Sequence, residues 1–293
     1  MSFTPQTRSL IRAALREDLG TGDLTTRTLV PRGMRGEALI HAKEAGIFCG
    51  GAVAAEVFRL RDRTLKIKLL KKEGARVKKG TSVLIVKGRI ASILEAERTA
   101  LNFLGHLSGI ATLTRSYVDK VRGTGAKIYD TRKTLPLWRE LEKYAVKCGG
   151  GANHRFGLFD EVLVKDNHWA ALQSALRMTW ALRLLAMTKK RRKIPVEIEV
   201  RNLKELAHLL EGTFVPDRVL LDNFSVRELK RAVLFVHRKT VGARRAVPLL
   251  EASGGINLSN VRAVARTGVD RISVGRLTHS APALDFSLEV KPQ

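Results

Sequence analysis

Cysteine is scarce in this chain. Two residues of 293, Cys49 and Cys148, are too few for a disulfide framework and show no metal-ligand spacing, so reduced thiols are expected. Aromatic residues make up only 5%, which argues against an aromatic-rich β sandwich, whereas 24 glycines suit the strand-to-helix turns of an α/β chain. No stretch approaches the roughly 18 uninterrupted apolar residues of a membrane span. The most apolar helical stretch, Ser174 to Met187, is broken by Arg177 and Arg183. The N-terminal run MSFTPQTRSLIRAALREDL has no continuous apolar core and reads as a helix, not a signal peptide. A cytoplasmic address without a membrane partner is therefore expected. Acids are in short supply too: 28 Asp plus Glu stand against 53 Lys plus Arg, a formal charge of +25.

Such a field attracts polyanions. Nucleic acid would call for clustered stacking residues, and 3 Trp and 3 Tyr offer few. The cations are spread along the chain, and the one dense run, KKRRK at Lys189 to Lys193, reads as a solvated loop ahead of a strand over Pro195 to Val200. No specific nucleic-acid partner is expected; small acidic substrates account for the charge better. With 44% apolar residues, the length suffices for one large or two modest domains.

Two rhythms divide the chain. The first hundred residues predict a helix at Pro5 to Leu19, a strand at Glu37 to Ala42, a helix at Ala52 to Leu60, and strands at Thr64 to Leu70 and Ser82 to Lys87. A helical pattern then runs from Ala91 to about Arg122. Beyond it, short apolar strands alternate with helices: Lys127 to Tyr129, Glu161 to Val164, Val196 to Val200, Arg218 to Leu221, Leu249 to Ala252 and Arg271 to Val274. This is the pattern of a parallel sheet covered on both faces, as an incomplete barrel or an open sheet.

Chemistry-bearing residues follow those strands. Asp130, Arg132 and Lys133 end the first, Lys165 to His168 the second, Asp222 and Asn223 the fourth, SGG (Ser253, Gly254, Gly255) the fifth, and Gly275 and Arg276 the last; Glu199 lies near the end of the third. In a parallel barrel all these ends meet on one face, where active sites sit. Arg132, Lys133, His154, Arg155 and Lys165 there would be costly to bury without anions, and a mixture of Arg forks and Lys point charges suits a ligand with several anionic groups. SGG and the final VGR turn present backbone N–H groups fit for phosphate. Glu199 and Asp222 fit sugar hydroxyls or Mg2+. The run GGGANHR, Gly149 to Arg155, suggests close approach of backbone to something bound. Taken singly, each feature has a plain structural explanation; the joint placement points to an anion-handling enzyme.

Seven stretches then carry a family resemblance: EDLGTGDLTT (Glu17 to Thr26), ERTALNFLGHLSGIAT (Glu97 to Thr112), DTRKT (Asp130 to Thr134), LEKYAVKCGGGANHRFGLFDEVLVKDNH (Leu141 to His168), LLDN (Leu220 to Asn223), EASGGI (Glu251 to Ile256) and GVDRISVGRLTHSAPALDFSL (Gly268 to Leu288). In these the chain resembles the quinolinate phosphoribosyltransferase family, the decarboxylating nicotinate-nucleotide pyrophosphorylases. The resemblance implies an N-terminal α/β sandwich domain (residues 1–101), an incomplete parallel α/β barrel (residues 102–279) and a tail (residues 280–293) packing back on the first domain. It implies that quinolinate and phosphoribosyl pyrophosphate become nicotinate mononucleotide, pyrophosphate and carbon dioxide in NAD biosynthesis, with Mg2+ as cofactor. A homodimer or hexamer with a shared active site is implied, Arg98 reaching in from the neighbouring subunit.

Carried over by position, Arg132, His154, Arg155 and Lys165 would hold the two carboxylates of quinolinate. Lys133 would sit between acid and pyrophosphate, and Glu199 and Asp222 would serve ribose hydroxyls and Mg2+. Ser253, Gly254, Gly255, Gly275 and His279 would surround the 5-phosphate. One departure stands out: where the family has a Thr-Pro-Gly-type turn after DTRKT, this chain has Leu135, Pro136, Leu137 and Trp138, and Trp138 either caps the barrel mouth or narrows the acid pocket. A paralogue of the same fold acting on another ligand, such as the related molybdenum-associated proteins, is disfavoured because every acid-binding position is filled.

Overall fold

A computed structural model describes residues 3–172, 175–212, 214–240 and 247–292. It divides into two compact units. The first comprises Met1–Arg115, Lys133–Gly151 and Leu277–Gln293; the second comprises Ser116–Arg132 and Ala152–Arg276.

The first unit opens with the helix Pro5–Leu19, which begins where the residues dictate. Thr4 accepts a hydrogen bond from the Thr7 amide, and Pro5 needs no N–H partner in the first turn. Ile11 and Leu15 bury its inner face. A four-stranded antiparallel sheet follows, in the order Phe286–Pro292, Arg35–Ala42, Ser82–Arg89, Lys66–Leu69. Burial alternates along Arg35–Ala42, with Ala38, Ile40 and Ala42 inside, as a sheet with one covered face requires. The C-terminal strand pairs with it from Ala42 opposite Phe286 onward. The helix Gly51–Arg61 buries Val53, Ala54, Val57 and Phe58. The 32-residue helix Ile90–Val121 continues into the second unit.

The second unit is a six-stranded parallel sheet in the order Lys127–Tyr129, Arg271–Ser273, Leu249–Ser253, Arg218–Asp222, Val196–Val200, Val162–Val164. All six expected strands form, and the two end strands do not pair with each other, so the barrel is incomplete. Helices follow the strands. Ser225 and Glu228 close a reciprocal cap on Val226–Thr240, each side chain accepting from the other's amide, and Asn202 caps Leu203–Glu211 by accepting from Lys204 and Glu205.

Several local expectations change. KKRRK is not a loop: the helix Ala175–Arg192 runs through most of it, Lys193 takes φ 52, and Lys189 pairs with Asp217 at 2.9 Å. The helix expected from Ser174 starts at Ala175, Ser174 lying outside the described residues. The helix after SGG begins only at Val261, because Asn257 and Asn260 fold into a turn, the Asn260 carboxamide accepting from the Asn257 amide. The three glycines before His154 do pack closely, but against their own unit: a Cβ on Gly149 would lie 2.5 Å from the Ala111 carbonyl oxygen of the long helix, and on Gly150 and Gly151 it would meet the side chains of Arg115 and of Thr114 and Val146. Their small size serves packing within the first unit. Among the described residues, no helix is long and apolar enough to cross a membrane.

Candidate active site

Residues in register on neighbouring strands share a face, and each face recurs every second residue. Glu197 is opposite Arg218, and Glu199, Leu220, Glu251 and Arg271 are in register with one another, so all share one face of the parallel sheet, where His154 Nε2 joins Glu197 and Glu251 and draws the four charged residues Glu197, Arg218, Glu251 and Arg271 into one inner layer. Two residues beyond Glu197, Glu251 and Arg271 stand Glu199, Ser253 and Ser273, and Asp222 is opposite Ser253, with Lys165 just past the end strand, its Nζ 3.0 Å from Glu199. The deeper layer is internal ionic structure and the outer one faces the strand ends.

The deeper layer survives burial because every charge in it is matched. Arg218 pairs with Glu161 and lies 3.8 Å from Glu197; Arg271 Nε lies 2.6 Å from Glu251 and its guanidinium sits 3.8 Å over the Tyr129 ring. Glu197 and Glu251 have no exposed surface. Buried carboxylates persist only when paired and hydrogen-bonded. Burial and a hydrogen bond with Glu197 push the Glu161 carboxyl up, against the pull of Arg218. His154, Glu161 and Glu197 bring ligand atoms within 4.8 Å of one another, but Arg218 already balances this acid cluster.

The segment 152–161 hangs on this layer. Ala152 bridges to Tyr129, and the fully buried Asp130 accepts the His154 amide at 2.8 Å, so the acid of DTRKT fixes the backbone of NHR. The His154 ring then enters the interior, Nε2 at 2.9 Å from Glu197 and 3.4 Å from Glu251. Burial pushes its pKa down, but the two carboxylates outweigh that and raise it to about 9. Nδ1 meanwhile accepts the Arg155 amide at 2.7 Å, so protonation turns this nitrogen from acceptor into donor. Burial holds Glu251 up while His154 and Arg271 pull it down, and it ends below the ordinary carboxyl value. A folded-state pKa above the ordinary 6.5 means that His154 stabilises the fold fully below about 6.5 and loses that contribution as pH rises through about 9. Denaturant unfolding is expected to show stability falling between pH 6 and pH 9.5 more steeply in the wild type than in His154→Asn; equal slopes would remove His154 from the account.

Arg155 is buried, its Nη1 donating to the Glu161 carbonyl at 3.1 Å. Burial lowers its pKa, and the neighbouring charge of Arg132 lowers it further. Arg132 Nε is itself buried with no hydrogen-bond partner among the described residues. Two like-charged guanidinia side by side, one with an orphaned N–H, are what an anion site looks like before its anion arrives. The structure thus brings Arg132 beside Arg155, His154 beneath them on Glu197, and Lys165 onto Glu199.

On the other adjacent strands, Asp222 ends half-exposed, one carboxylate oxygen accepting from the Asn223 side chain at 2.8 Å. Asn223 takes φ 56 and donates its amide to the Ser253 carbonyl. Gly254 (φ 88) has no room for a side chain, since a Cβ there would meet Asn223 Oδ1 at 2.2 Å. Gly255 (φ 62) has open space around it. Gly275 follows the last strand, half-buried. As magnesium ligands, Glu199 and Asp222 fit by donor type and placement: both share the sheet face two register steps apart, and Lys165 contacts only Oε2 of Glu199.

The remaining expected residues belong to the first unit. Arg98 is exposed on the long helix, Lys133 is exposed with its carbonyl accepting from Thr278, and His279 is exposed with Nδ1 2.7 Å from Ser280 Oγ. Trp138 stacks on Phe103 at 4.7 Å and meets His106 edge-on at 5.1 Å, so its bulk is taken up within this unit. Leu137, at the glycine position of the expected Thr-Pro-Gly-type turn, adopts φ 67 while 82% exposed. An L side chain there costs about 1–2 kcal/mol.

Sequence reasoning missed Asp130 as an anchor and the Glu197–Arg218–Glu251–Arg271 layer. The available signal was charge at every second strand position, as in VEIEV. A cavity of 1440 Å3 also lies in the second unit, lined by Trp169, Leu182, Leu209 and Phe214, with Asp166 and Glu199 at its polar edge. It includes neither Arg132 nor Arg155, and its cations Arg183, Lys189, Lys190 and Arg201 share it with the acids Asp166, Glu199, Glu205 and Glu211.

Comparison with known proteins completes the description. The family model for the quinolinate phosphoribosyl transferase N-terminal domain matches residues 23–108, and that for the C-terminal domain matches residues 110–289. A Mycobacterium leprae protein named nicotinate-nucleotide pyrophosphorylase [carboxylating] is 43% identical over 288 residues, covering 97% of this chain and 96% of that protein. A Methanocaldococcus jannaschii protein named probable nicotinate-nucleotide pyrophosphorylase [carboxylating] is 40% identical over 286 residues, 96% of each chain. The solved structure of the nicotinate-nucleotide pyrophosphorylase from Francisella tularensis superposes with a TM-score of 0.85 at 38% identity, over 99% of this chain and 98% of that one.

Proposed function

This chain belongs to the quinolinate phosphoribosyl transferase family, and on that premise we propose how its residues perform the reaction. It is a pentosyltransferase of NAD biosynthesis, converting quinolinate and phosphoribosyl pyrophosphate into nicotinate mononucleotide, pyrophosphate and carbon dioxide. The observation that carries the assignment of parts is the pair of guanidinia, Arg132 and Arg155, meeting at the strand ends with a buried, unpartnered N–H.

Arg132, Arg155 and Lys165 hold the two carboxylates of quinolinate, the Arg forks matching carboxylate geometry. His154, backed by Glu197 and Glu251, adds its positive charge beside the same acid. Ser253, Gly254, Gly255, Gly275 and His279 receive the 5-phosphate, and Glu199 and Asp222 the ribose hydroxyls. Lys133 offsets charge on the pyrophosphate. Glu199 and Asp222 would also hold Mg2+, which when bound neutralises charge developing on the leaving pyrophosphate. The pyridine nitrogen carries a lone pair and no proton, so it attacks the anomeric carbon without a general base as the bond to pyrophosphate breaks. The bond to the 2-carboxylate then breaks, carbon dioxide leaves, and the electron pair stays on C2, stabilised by the adjacent cationic ring nitrogen until C2 takes up a proton from water. The protein's work is positioning and charge compensation.

Residues 1–101 serve as the sandwich domain, 102–279 as the catalytic barrel and 280–293 as the returning tail. The working form is a cytoplasmic homodimer or hexamer in which the exposed Arg98 completes a neighbour's site.

Purified protein given Mg2+, phosphoribosyl pyrophosphate and quinolinate is expected to form nicotinate mononucleotide and carbon dioxide in equal amounts. Nicotinate in place of quinolinate leaves part of the cationic cluster unpaired, a loss of about 1–3 kcal/mol, or roughly 5- to 150-fold in kcat/KM. Equal turnover of the two acids would overturn the two-carboxylate site.

A further inference from the structure

The two cysteines lie 99 residues apart in sequence yet meet in the first unit. One ligand atom each from Cys49, Glu73 and Cys148 lies within 4.8 Å of the other two. Cys49 is fully buried just ahead of the helix Gly51–Arg61, Cys148 ends the helix Arg139–Cys148, and Glu73 comes from the turn between them in space. We propose that Cys49, Cys148 and Glu73 form a binding site for a borderline-soft divalent cation of the zinc type.

The geometry requires little movement. Two ligands at about 2.3 Å from one tetrahedral ion are roughly 3.8 Å apart, so shifts of under about 1 Å close the site. The carboxylate is already oriented: Glu73 Oε2 accepts the Gly50 amide at 2.8 Å and Oε1 the Ala52 amide at 3.1 Å, leaving further lone pairs on both oxygens. The two sulfurs lie within 4.8 Å of each other. Cys148, Glu73 and Tyr144 are half-buried, so an ion has a way in from solvent. On binding, each thiol gives up its proton, two in all, and the ion takes two thiolates and one carboxylate, with a solvent oxygen in the fourth position. The plain alternative is a pair of cysteines filling core space beside a helix-capping glutamate, which would bind no metal.

Because the chain has only 2 cysteines, thiolate-to-metal absorption reports on this site alone. Reduced, metal-free protein titrated anaerobically with Co2+ is expected to take up one equivalent with thiolate-to-cobalt charge-transfer bands and release of two protons per chain, and Zn2+ to displace it with no further proton release. Cys148→Ser, at the half-buried position, abolishes the bands. Glu73→Gln keeps an acceptor for the helix amides and weakens Co2+ binding at least about tenfold. Zn2+ raises the unfolding temperature of wild type and not of Cys148→Ser. Folded wild type giving no charge-transfer band, or Cys148→Ser giving the same titration as wild type, overturns the proposal.

Discussion

Replacing Arg155 with alanine is expected to weaken quinolinate binding by about 2–5 kcal/mol, tens- to thousands-fold in Kd, because a desolvated charge that pairs with the ligand is lost. Arg155 is buried beside Arg132, and its own pKa is lowered by burial and by that neighbour, so the free protein bears the cost of two clustered cations. That cost is repaid when a dicarboxylate arrives. Arg155→Lys restores charge but not the bidentate fork and should recover only part of the affinity. Lys190→Ala, an exposed position of the helix Ala175–Arg192 that lines the cavity beside Trp169 and Phe214, removes the same unit of charge from outside the guanidinium pair and should leave Kd within about twofold. Calorimetric titration with quinolinate separates the two. If Arg155→Ala and Lys190→Ala behaved alike, affinity would come from the general field of +25 and not from a built site.

The second large effect is on stability. Glu197→Ala removes a fully buried carboxylate that faces His154 at 2.9 Å and Arg218 at 3.8 Å, leaving cationic groups in the sheet interior short of a partner. Breaking a buried ion pair from one side costs about 3–5 kcal/mol. A cavity from lost methylenes adds to this, so Glu197→Gln, which keeps the volume and removes the charge, is the informative companion. It should retain most of the loss, and it should also lower the His154 pKa from about 9 toward its ordinary 6.5, visible in the imidazole NMR titration. A Glu197→Gln protein as stable as wild type would mean that the inner layer is held by packing, with its charges incidental.

How much of this could be read from the residues alone follows from the range of each interaction. The helix Pro5–Leu19 was legible to the residue, because its start is written locally in Thr4 and Pro5 and its end in Gly20. The six parallel strands were legible because each is a short apolar run bounded by turn residues. Arg132 and Lys165 could be placed at strand ends from the same rhythm, and Arg155 came from the run GGGANHR. The inner charged layer could not, because Glu197, Glu251, Arg218 and Arg271 become partners only through sheet register, which crossover helices fix and the local pattern does not. KKRRK misled for a related reason: four cations continue a helix cheaply when one of them, Lys189, finds Asp217 and the Val215 carbonyl. The GGG run was a true signal of close approach, but close approach alone does not say whether the neighbour is a ligand or, as here, the carbonyl of Ala111.

The most direct test is a crystal structure of the protein with quinolinate and without phosphoribosyl pyrophosphate. Both carboxylates should lie within hydrogen-bond distance of the guanidinia of Arg132 and Arg155, with Lys165 drawn from Glu199 toward the acid. Quinolinate seated in the apolar cavity beside Trp169 and Phe214, or bound with Arg132 and Arg155 untouched, would contradict it.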